Sequence, residues 1–356
     1  MESSYPDVTV DVIVPARNEE DCIGRCLESL TAQTGISFRI TLVNDGSTDR
    51  TGPIAASFSG VQVINSTSPA RGVMGKCNAL IQGAANSHAR WLLFTDADTV
   101  HSPASLAAAV REAEERGVDL LSYSPEQEVH SVAELALMPV IFADLVRAYP
   151  PERINNPSDP AVAANGQYIL VRRNVYEALG GHGMVANKLL DDVELARLFK
   201  ESGHKIWFRQ GTGLVKTRMY RSFRAMCDGW TKNLVLLFPH TVGLAVIRFL
   251  EFIVVLASVA LAGAFMNHGA TQAGALFAIL AVGVYVNLLV RIRRAHFPWK
   301  ANFLALLGLP LFSWLLLRSH LHLNVLREVT WKGRVYVQSE PELPVETSFG
   351  KDERKL

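Results

Sequence analysis

Long apolar runs in this chain are confined to residues 244–317: roughly Leu244–Met266, Ala275–Val290 and Phe303–Leu317. Charged and turn-forming residues populate the first two thirds. A helix needs about 20 mostly apolar residues to cross the hydrocarbon of a bilayer. The pattern therefore predicts a polar domain followed by a membrane region, with the second and third runs long enough only if flanking residues join them. Arg248 and Glu251 lie one turn apart in the first run, which predicts a membrane-surface position for its early part.

Basic residues suggest the orientation. Residues 267–274 carry no Lys or Arg, whereas Arg291, Arg293, Arg294 and Lys300 lie between the second and third runs. The positive-inside bias puts this second loop in the cytoplasm, and the polar domain with it. The segment after Leu317 is also basic, with Arg318, Arg327, Lys332 and Arg334. Gly308-Leu309-Pro310 sits in the middle of the third run, so the third segment either spans, with a basic tail that breaks the positive-inside bias, or re-enters, which the proline favours slightly. The expected layout is a polar domain over 1–235, a membrane region over 236–317 and a cytoplasmic tail over 318–356, in the inner cell membrane.

Before the membrane region, β-rich runs alternate with helical patterns. Val8–Val14, Phe38–Val43, Val61–Ile64 and Trp91–Phe94 read as strands. Ile23, Cys26, Leu27 and Leu30 recur at i, i+3, i+4 and i+7, one apolar stripe of a helix. Asn18 ahead of Glu19, Glu20 and Asp21 reads as its N-cap. Helices are also predicted after Ser47 and over Lys76–Ala85, Arg172–Leu179 and Leu189–Lys200, and strands over Gln167–Val171, Ile206–Phe208 and Gly213–Lys216. Such alternation argues for an α/β fold with a mostly parallel sheet covered on both faces. Ser131–Ala148 is an apolar-rich helix in an otherwise polar stretch, either a membrane-surface helix or a core helix of the domain. Pro139 is expected to kink or split it.

Charge excludes one class of partner. Lys plus Arg number 35 against 34 Asp plus Glu, a net charge of +1, so no global field draws nucleic acid. Cys22, Cys26, Cys77 and Cys227 form no Cys-x-x-Cys motif and no Cys/His cluster, which predicts unpaired thiols in a reducing compartment. Met1–Asp7 is polar and acidic, so no signal peptide is expected.

Asp96-Ala97-Asp98 follows the apolar strand Trp91–Phe94. Open α/β sheets bind ligands at the carboxyl ends of their strands. Alternation in an extended segment puts Asp96 and Asp98 on one side and Ala97 on the other. Two hard oxygen donors suit Mg2+ or Mn2+ that also grips a substrate diphosphate. The common phosphate loops are missing: no strand leads into G-x-G-x-x-G, and Gly72–Lys76 lacks the spacing and the Ser/Thr of a Walker A loop.

Five motifs occur in order: Val14-Pro15-Ala16-Arg17-Asn18-Glu19, Val43-Asn44-Asp45-Gly46-Ser47-Thr48-Asp49, Gly75-Lys76 before a helix, Thr95-Asp96-Ala97-Asp98, and Leu190-Asp191-Asp192. The series resembles family 2 glycosyltransferases, which have the GT-A fold and use nucleotide-sugar donors. The resemblance covers about residues 8–235. Trp331–Tyr336 resembles a tail motif of membrane-bound members acting on lipids, and the layout resembles ceramide-, hopanoid- and carotenoid-linked members.

The resemblance implies roles for single residues. Asp45 would contact the nucleobase, with Pro15, Arg17 and Glu19 lining the same pocket; Asn-Asp-Gly is equally a turn signal. Asp96 would sit by the ribose and Asp98 would ligate Mg2+ or Mn2+. Lys76 and Arg17 would compensate diphosphate charge. Asn165-Gly166-Gln167 and Gly180-Gly181-His182-Gly183 match segments near the donor sugar and the acceptor. His182 would touch the acceptor side or be an exposed loop histidine. Asp191-Asp192 matches the family's Glu-Asp, with Asp192 as general base and Asp191 as the alternative. A helix N-terminus is expected to lower the pKa of such a carboxylate. Processive members carry Gln-x-x-Arg-Trp; in Met226-Cys227-Asp228-Gly229-Trp230 only the tryptophan remains, which argues for single transfer over polymer synthesis. Trp230 would stack on a sugar, lie at the membrane interface or simply pack. The retained Asp96, Asp98 and Asp192 argue against a non-catalytic scaffold. The partners implied are a UDP- or GDP-linked sugar, a membrane lipid acceptor and the bilayer.

Overall fold

Val10, Val12, Ile13 and Val14 are all fully buried within one strand, the mark of a central strand covered on both faces. A computed structural model describes residues 8–326 and the backbone of 328–331 and 334–337. Met1–Asp7, residues 332–333 of the Trp331–Tyr336 motif and the tail beyond 337 lie outside the described residues. The strands are β1 (Val10–Ala16), β2 (Phe38–Asn44), β3 (Val61–Asn65), β4 (Trp91–Phe94), β5 (Thr99–His101), β6 (Leu120–Ser124), β7 (Glu126–Gln127), β8 (Ile169–Arg172), β9 (Ile206–Gln210) and β10 (Val215–Thr217). Seven form one sheet in the order β3-β2-β1-β4-β8-β6-β9, and β5, β10 and β7 form a second. β1 to β4 run parallel, β6 pairs with β9 in parallel, and β8 runs antiparallel to both its neighbours. The sheet is thus mostly parallel, as expected, with one reversed strand.

The helices are α1 (Ile23–Thr31), α2 (Thr51–Ala56), α3 (Gly75–Ala84), α4 (Ser105–Arg116), α5 (Val132–Ala148), α6 (Pro151–Ile154), α7 (Arg173–Ala178), α8 (Asp191–Glu201), α9 (Phe223–Leu237), α10 (Thr241–Asn267), α11 (Thr271–Arg293) and α12 (Trp299–His320). The stripe Ile23, Cys26, Leu27 and Leu30 of α1 is buried, as its spacing predicts. Asn18 is not the N-cap of α1. It lies four residues upstream of the helix's N-cap residue, Cys22, with φ 53, and its side-chain oxygen accepts the Thr48 N–H at 2.8 Å.

The chain divides into two compact units, 8–128 with 151–219, and 129–150 with 220–326. This differs from a single boundary at 235. Helix α5 belongs to the second unit, because nearly its whole circumference is apolar and buried: Leu137, Val140 and Ile141 have no exposed surface. Its N-terminus is a capping box, with Ser131 and Glu134 each bonding the other's backbone N–H. Pro139 does not split it. A membrane-surface helix would leave its polar face wet, whereas Asp144 is completely buried. Phe142 packs edge-on against Trp230, centroids 6.0 Å apart, and against Phe297 at 5.7 Å. Phe142→Ser is therefore expected to cost about 3–5 kcal/mol, read as a fall in the melting temperature of detergent-solubilised protein. An unchanged melt would return α5 to the membrane surface.

Among the described residues three helices are long and apolar enough to cross a membrane: Thr241–Asn267, Thr271–Arg293 and Trp299–Leu326. Each is longer than the apolar run that predicted it, because flanking residues join the helix. The break expected at Gly308-Leu309-Pro310 is absent, since α12 runs unbroken through Pro310. Gly308 has another use. A Cβ there would collide with the Ala136 carbonyl, so the glycine lets α12 and α5 approach backbone to backbone. Arg248 and Glu251 do not mark a membrane-surface stretch either: both turn inward, with side chains 4 % and 10 % exposed.

Candidate active site

The carboxyl ends of β1, β2 and β4 lie side by side in parallel, so the loops after them share one edge of the sheet. Pro15 closes β1 opposite Val43. Arg17 donates to the Asp45 carbonyl at 2.8 Å and lies 3.9 Å from its carboxylate. The Asp45 carboxylate also accepts the Ser66 hydroxyl at 3.1 Å. Gly46, with φ 64, turns the chain away, so the turn reading and the pocket reading of Asp45 hold together. Glu19 is fixed by its N–H to the Thr51 hydroxyl at 2.7 Å and accepts the Cys22 thiol. Pro15, Arg17, Glu19 and Asp45 are thus brought to one edge.

Residues 95–98 leave the sheet in a turn rather than an extended strand, closed by the Thr99 N–H on the Asp96 carbonyl. The alternation survives: Ala97 is buried while Asp96 and Asp98 are half-buried. Lys76 stands at the start of α3 with its side chain 37% exposed. Its Nζ lies 2.7 Å from the Asp96 carboxylate. Burial opposes the ammonium charge, but Asp96, Asp191 and Asp192 together outweigh it and raise the lysine's pKa.

The reversed strand β8 brings residues 165–167 to the same place. The Gly166 N–H donates to Asp192 Oδ2 at 2.8 Å, and the other carboxylate oxygen accepts the Val193 N–H at 2.9 Å. A Cβ on Gly166 would lie 3.1 Å from Lys76 Nζ and 3.3 Å from Asp192, so any larger residue would press on both side chains. Asn165 accepts the Gln167 N–H with its own side chain. The expectation of a lowered pKa at Asp192 fails. Burial comes first and the neighbouring Asp191 carboxylate adds to it; Lys76 and the two N–H groups do not offset them, and the value rises to about 6. Asp191 holds the Cys77 thiol.

Two acceptor-side expectations are corrected. His182 is no exposed loop residue: it is 1 % exposed, with Nδ1 2.9 Å from the Tyr176 hydroxyl and its ring edge-on to Phe94. Gly180 and Gly181 adopt φ 77 and 50, folding it inward. Burial pushes its pKa down to about 4, so it is neutral at pH 7 and offers no charge to a phosphate. Trp230 lies in the second unit, 2 % exposed, between the edges of Phe142 and Tyr220, which leaves no open face for a sugar. Beside it, a side chain on Gly229 would collide with the Tyr220 ring. The arginine of Gln-x-x-Arg-Trp cannot fit there.

Sequence reading missed the hydroxyls beneath the Asp96–Asp98 turn: Thr95, Thr99 and Thr217, with His101, all buried. Among the described residues no group of three or more His, Cys, Asp and Glu could hold a metal. A cation at this turn would rest on one or two carboxylates and on oxygens of a bound diphosphate, a donor set that suits Mg2+ or Mn2+.

Residues 11–180 match Glycosyl transferase family 2. A 4,4'-diaponeurosporenoate glycosyltransferase of Staphylococcus haemolyticus is 28% identical over 354 residues, covering 92% of this chain and 88% of that protein. Its Staphylococcus aureus counterpart is 29% identical over 232 residues, covering 63% of this chain and 60% of its own length, so that match spans less than two thirds of the relative. The mannosyltransferase PcManGT from Pyrobaculum calidifontis, solved with GDP-Man and Mn2+, shares the fold at a TM-score of 0.52 and 16% identity, over 91% of this chain and 89% of that one.

Proposed function

We propose that this glycosyltransferase, whose residues 11–180 form a family 2 domain, moves a single sugar from a UDP- or GDP-linked donor to a membrane lipid, with inversion. The observation that carries the reading is Asp192, held by the Gly166 N–H and the start of α8 beside the Lys76–Asp96 pair. A base at the edge of a nucleotide-binding sheet can take a proton from an acceptor hydroxyl as that oxygen attacks the anomeric carbon. One attack, with no covalent sugar–enzyme intermediate, inverts that carbon. Asp45, Pro15, Arg17 and Glu19 would receive the base, and Asp96 the ribose. Lys76, tied to Asp96 and drawn by Asp192, would compensate diphosphate charge while tethering donor side to base side. A bound Mg2+ or Mn2+, held by Asp98, would neutralise the charge that the leaving diphosphate gains.

The lipid acceptor is supported by three helices long and apolar enough to cross a membrane, and by relatives whose named acceptor is a carotenoid carboxylate. The inner cell membrane is the proposed location, with the catalytic residues on the cytoplasmic side, where the loop holding Arg291, Arg293 and Arg294 would lie.

Asp98→Ala should abolish transfer and leave the melting temperature close to wild type, since a half-exposed carboxylate contributes little to stability. The assay is radiolabelled-sugar incorporation into extracted lipid by purified protein, with and without chelator. Full activity of the variant, or of wild type in excess chelator, removes the metal from the mechanism. Wild-type protein that neither hydrolyses donor nor labels lipid removes the function.

A further inference from the structure

Beneath the Asp96–Asp98 turn lies a set of buried polar groups whose protons can be counted, with the Cys26 thiol at its edge, 3.7 Å from the Asp96 carbonyl and 4.0 Å from the Thr99 hydroxyl. The Thr95 hydroxyl lies 2.8 Å from the Gln167 carbonyl, and the Thr99 hydroxyl 2.6 Å from the Asp96 carbonyl. The two hydroxyl oxygens are 2.9 Å apart, and His101 Nε2 lies 3.2 Å from one and 3.1 Å from the other. A carbonyl only accepts and a hydroxyl has one proton. Each threonine proton is therefore spent on its carbonyl, and neither is left for the histidine. The contact is satisfied only if Nε2 carries the hydrogen and donates into the hydroxyl lone pairs. His101 Nδ1 is buried with no hydrogen-bond partner among the described residues, as expected of a ring nitrogen without a proton. Burial pushes the histidine's pKa down to about 3, so the ring is neutral.

These two hydroxyl bonds hold two different walls of the site. Thr99 fixes the backbone of Asp96. Thr95 fixes the carbonyl of Gln167, one residue from the Gly166 N–H that seats Asp192. A third link joins the same walls: Gln167 Nε2 donates to the Thr217 hydroxyl at 3.2 Å, and that hydroxyl donates to the Asp98 carbonyl at 3.2 Å. Strand pairing sets Thr217 opposite Thr99 and Val215 opposite His101.

We infer that His101 is a positioning residue for sugar transfer: as the Nε2–H tautomer it locks Thr95 and Thr99 and so sets the distance between the donor-binding turn and the base. The inference deepens the proposed function and rests on it for its kinetic arm. Without the histidine donor the hydroxyls are free to turn toward each other, releasing one carbonyl. The turn and the 165–167 loop then move independently, and misplacement on the scale of 1 Å costs on the order of 10²-fold in rate.

The first test needs no substrate. Nitrogen NMR of the full-length protein with 15N-labelled histidine should show a protonated Nε2 and a bare Nδ1 for His101; a protonated Nδ1 overturns the inference. In the second, His101→Leu keeps volume and removes the donor. It should lower kcat by roughly 10²-fold with little change in donor KM or melting temperature. His101→Gln, which offers an amide N–H at similar reach, should restore most of kcat. Unchanged kcat in the leucine variant, or a folded glutamine variant as slow as the leucine one, overturns it. If His101→Leu does not fold, Thr99→Val carries the same expectation, and full kcat there overturns the inference. Failure of the underlying reading looks different: wild-type protein shows no transfer, whatever the tautomer of His101.

Discussion

Asp192→Asn should lower turnover by roughly 10²–10⁴-fold while leaving donor binding intact. The amide oxygen can still accept the Gly166 N–H, which the carboxylate takes at 2.8 Å, so the 165–167 loop keeps its place; the amide nitrogen gives up only the local Val193 N–H at the start of α8. What is lost is the capacity to take a proton. The pH dependence follows from the raised pKa of about 6. A base works only when ionised, so wild-type kcat/KM should fall about tenfold per pH unit below 6 and level off above it. Asp191 is a cause of that rise after burial, so Asp191→Asn should move the acid limb to lower pH without a large loss at pH 8. If Asp191→Asn is the more damaging change, the base is Asp191. The same profile separates the two acceptor chemistries. A hydroxyl needs its proton removed, whereas a carboxylate acceptor is already ionised at pH 7. A loss under tenfold in Asp192→Asn, with no acid limb, would mean a carboxylate acceptor.

Much of this site was legible because its residues follow strands whose apolar runs are unmistakable. β1, β2 and β4 were readable from Val8–Val14, Phe38–Val43 and Trp91–Phe94, and the polar residues just beyond each had to lie on one edge. The run from 99 to 124 was not read. β5 has only three residues, Thr99–His101, too few to show a period, yet it carries the hydroxyl and the histidine beneath the turn. The sign of the Asp192 shift was misjudged for a related reason. A helix N-terminus is visible in sequence, but the burial that outweighs it is not. In the apolar part a signal was present and unused. Asp144 stands alone in the middle of an apolar helix, and Arg248 stands in an apolar run. Charges so placed face the bundle interior and find each other; their pairing shows that α5 belongs with the membrane-type helices.

That pair leads to an effect on stability as large as any expected here. Asp144, with no exposed surface, accepts two hydrogen bonds from Arg248, from Nε at 2.8 Å and from a terminal nitrogen at 2.5 Å. Arg248 also pairs with Glu251 at 3.1 Å, and Glu251 with Arg291 at 2.9 Å. Two negative and two positive groups on α5, α10 and α11 thus alternate and cancel. Asp144→Ala leaves three charges with a net excess of one, in surroundings that cannot solvate it, and should cost about 3–5 kcal/mol. The double change Asp144→Leu with Arg248→Met removes one charge of each sign, leaves Glu251 and Arg291 paired, and fills the space with apolar side chains of similar size. Replacing a whole buried pair in this way is often neutral or stabilising, so the double variant should melt close to wild type and well above either single. Detergent melts of the four proteins give the coupling directly. A single variant no worse than the double would show that the pair is solvated and does not hold α5 in place. The predicted rescue would mean that charge balance, rather than attraction across the pair, is what the bundle requires, and that this balance ties α5 to α10 at the cost of little net stability.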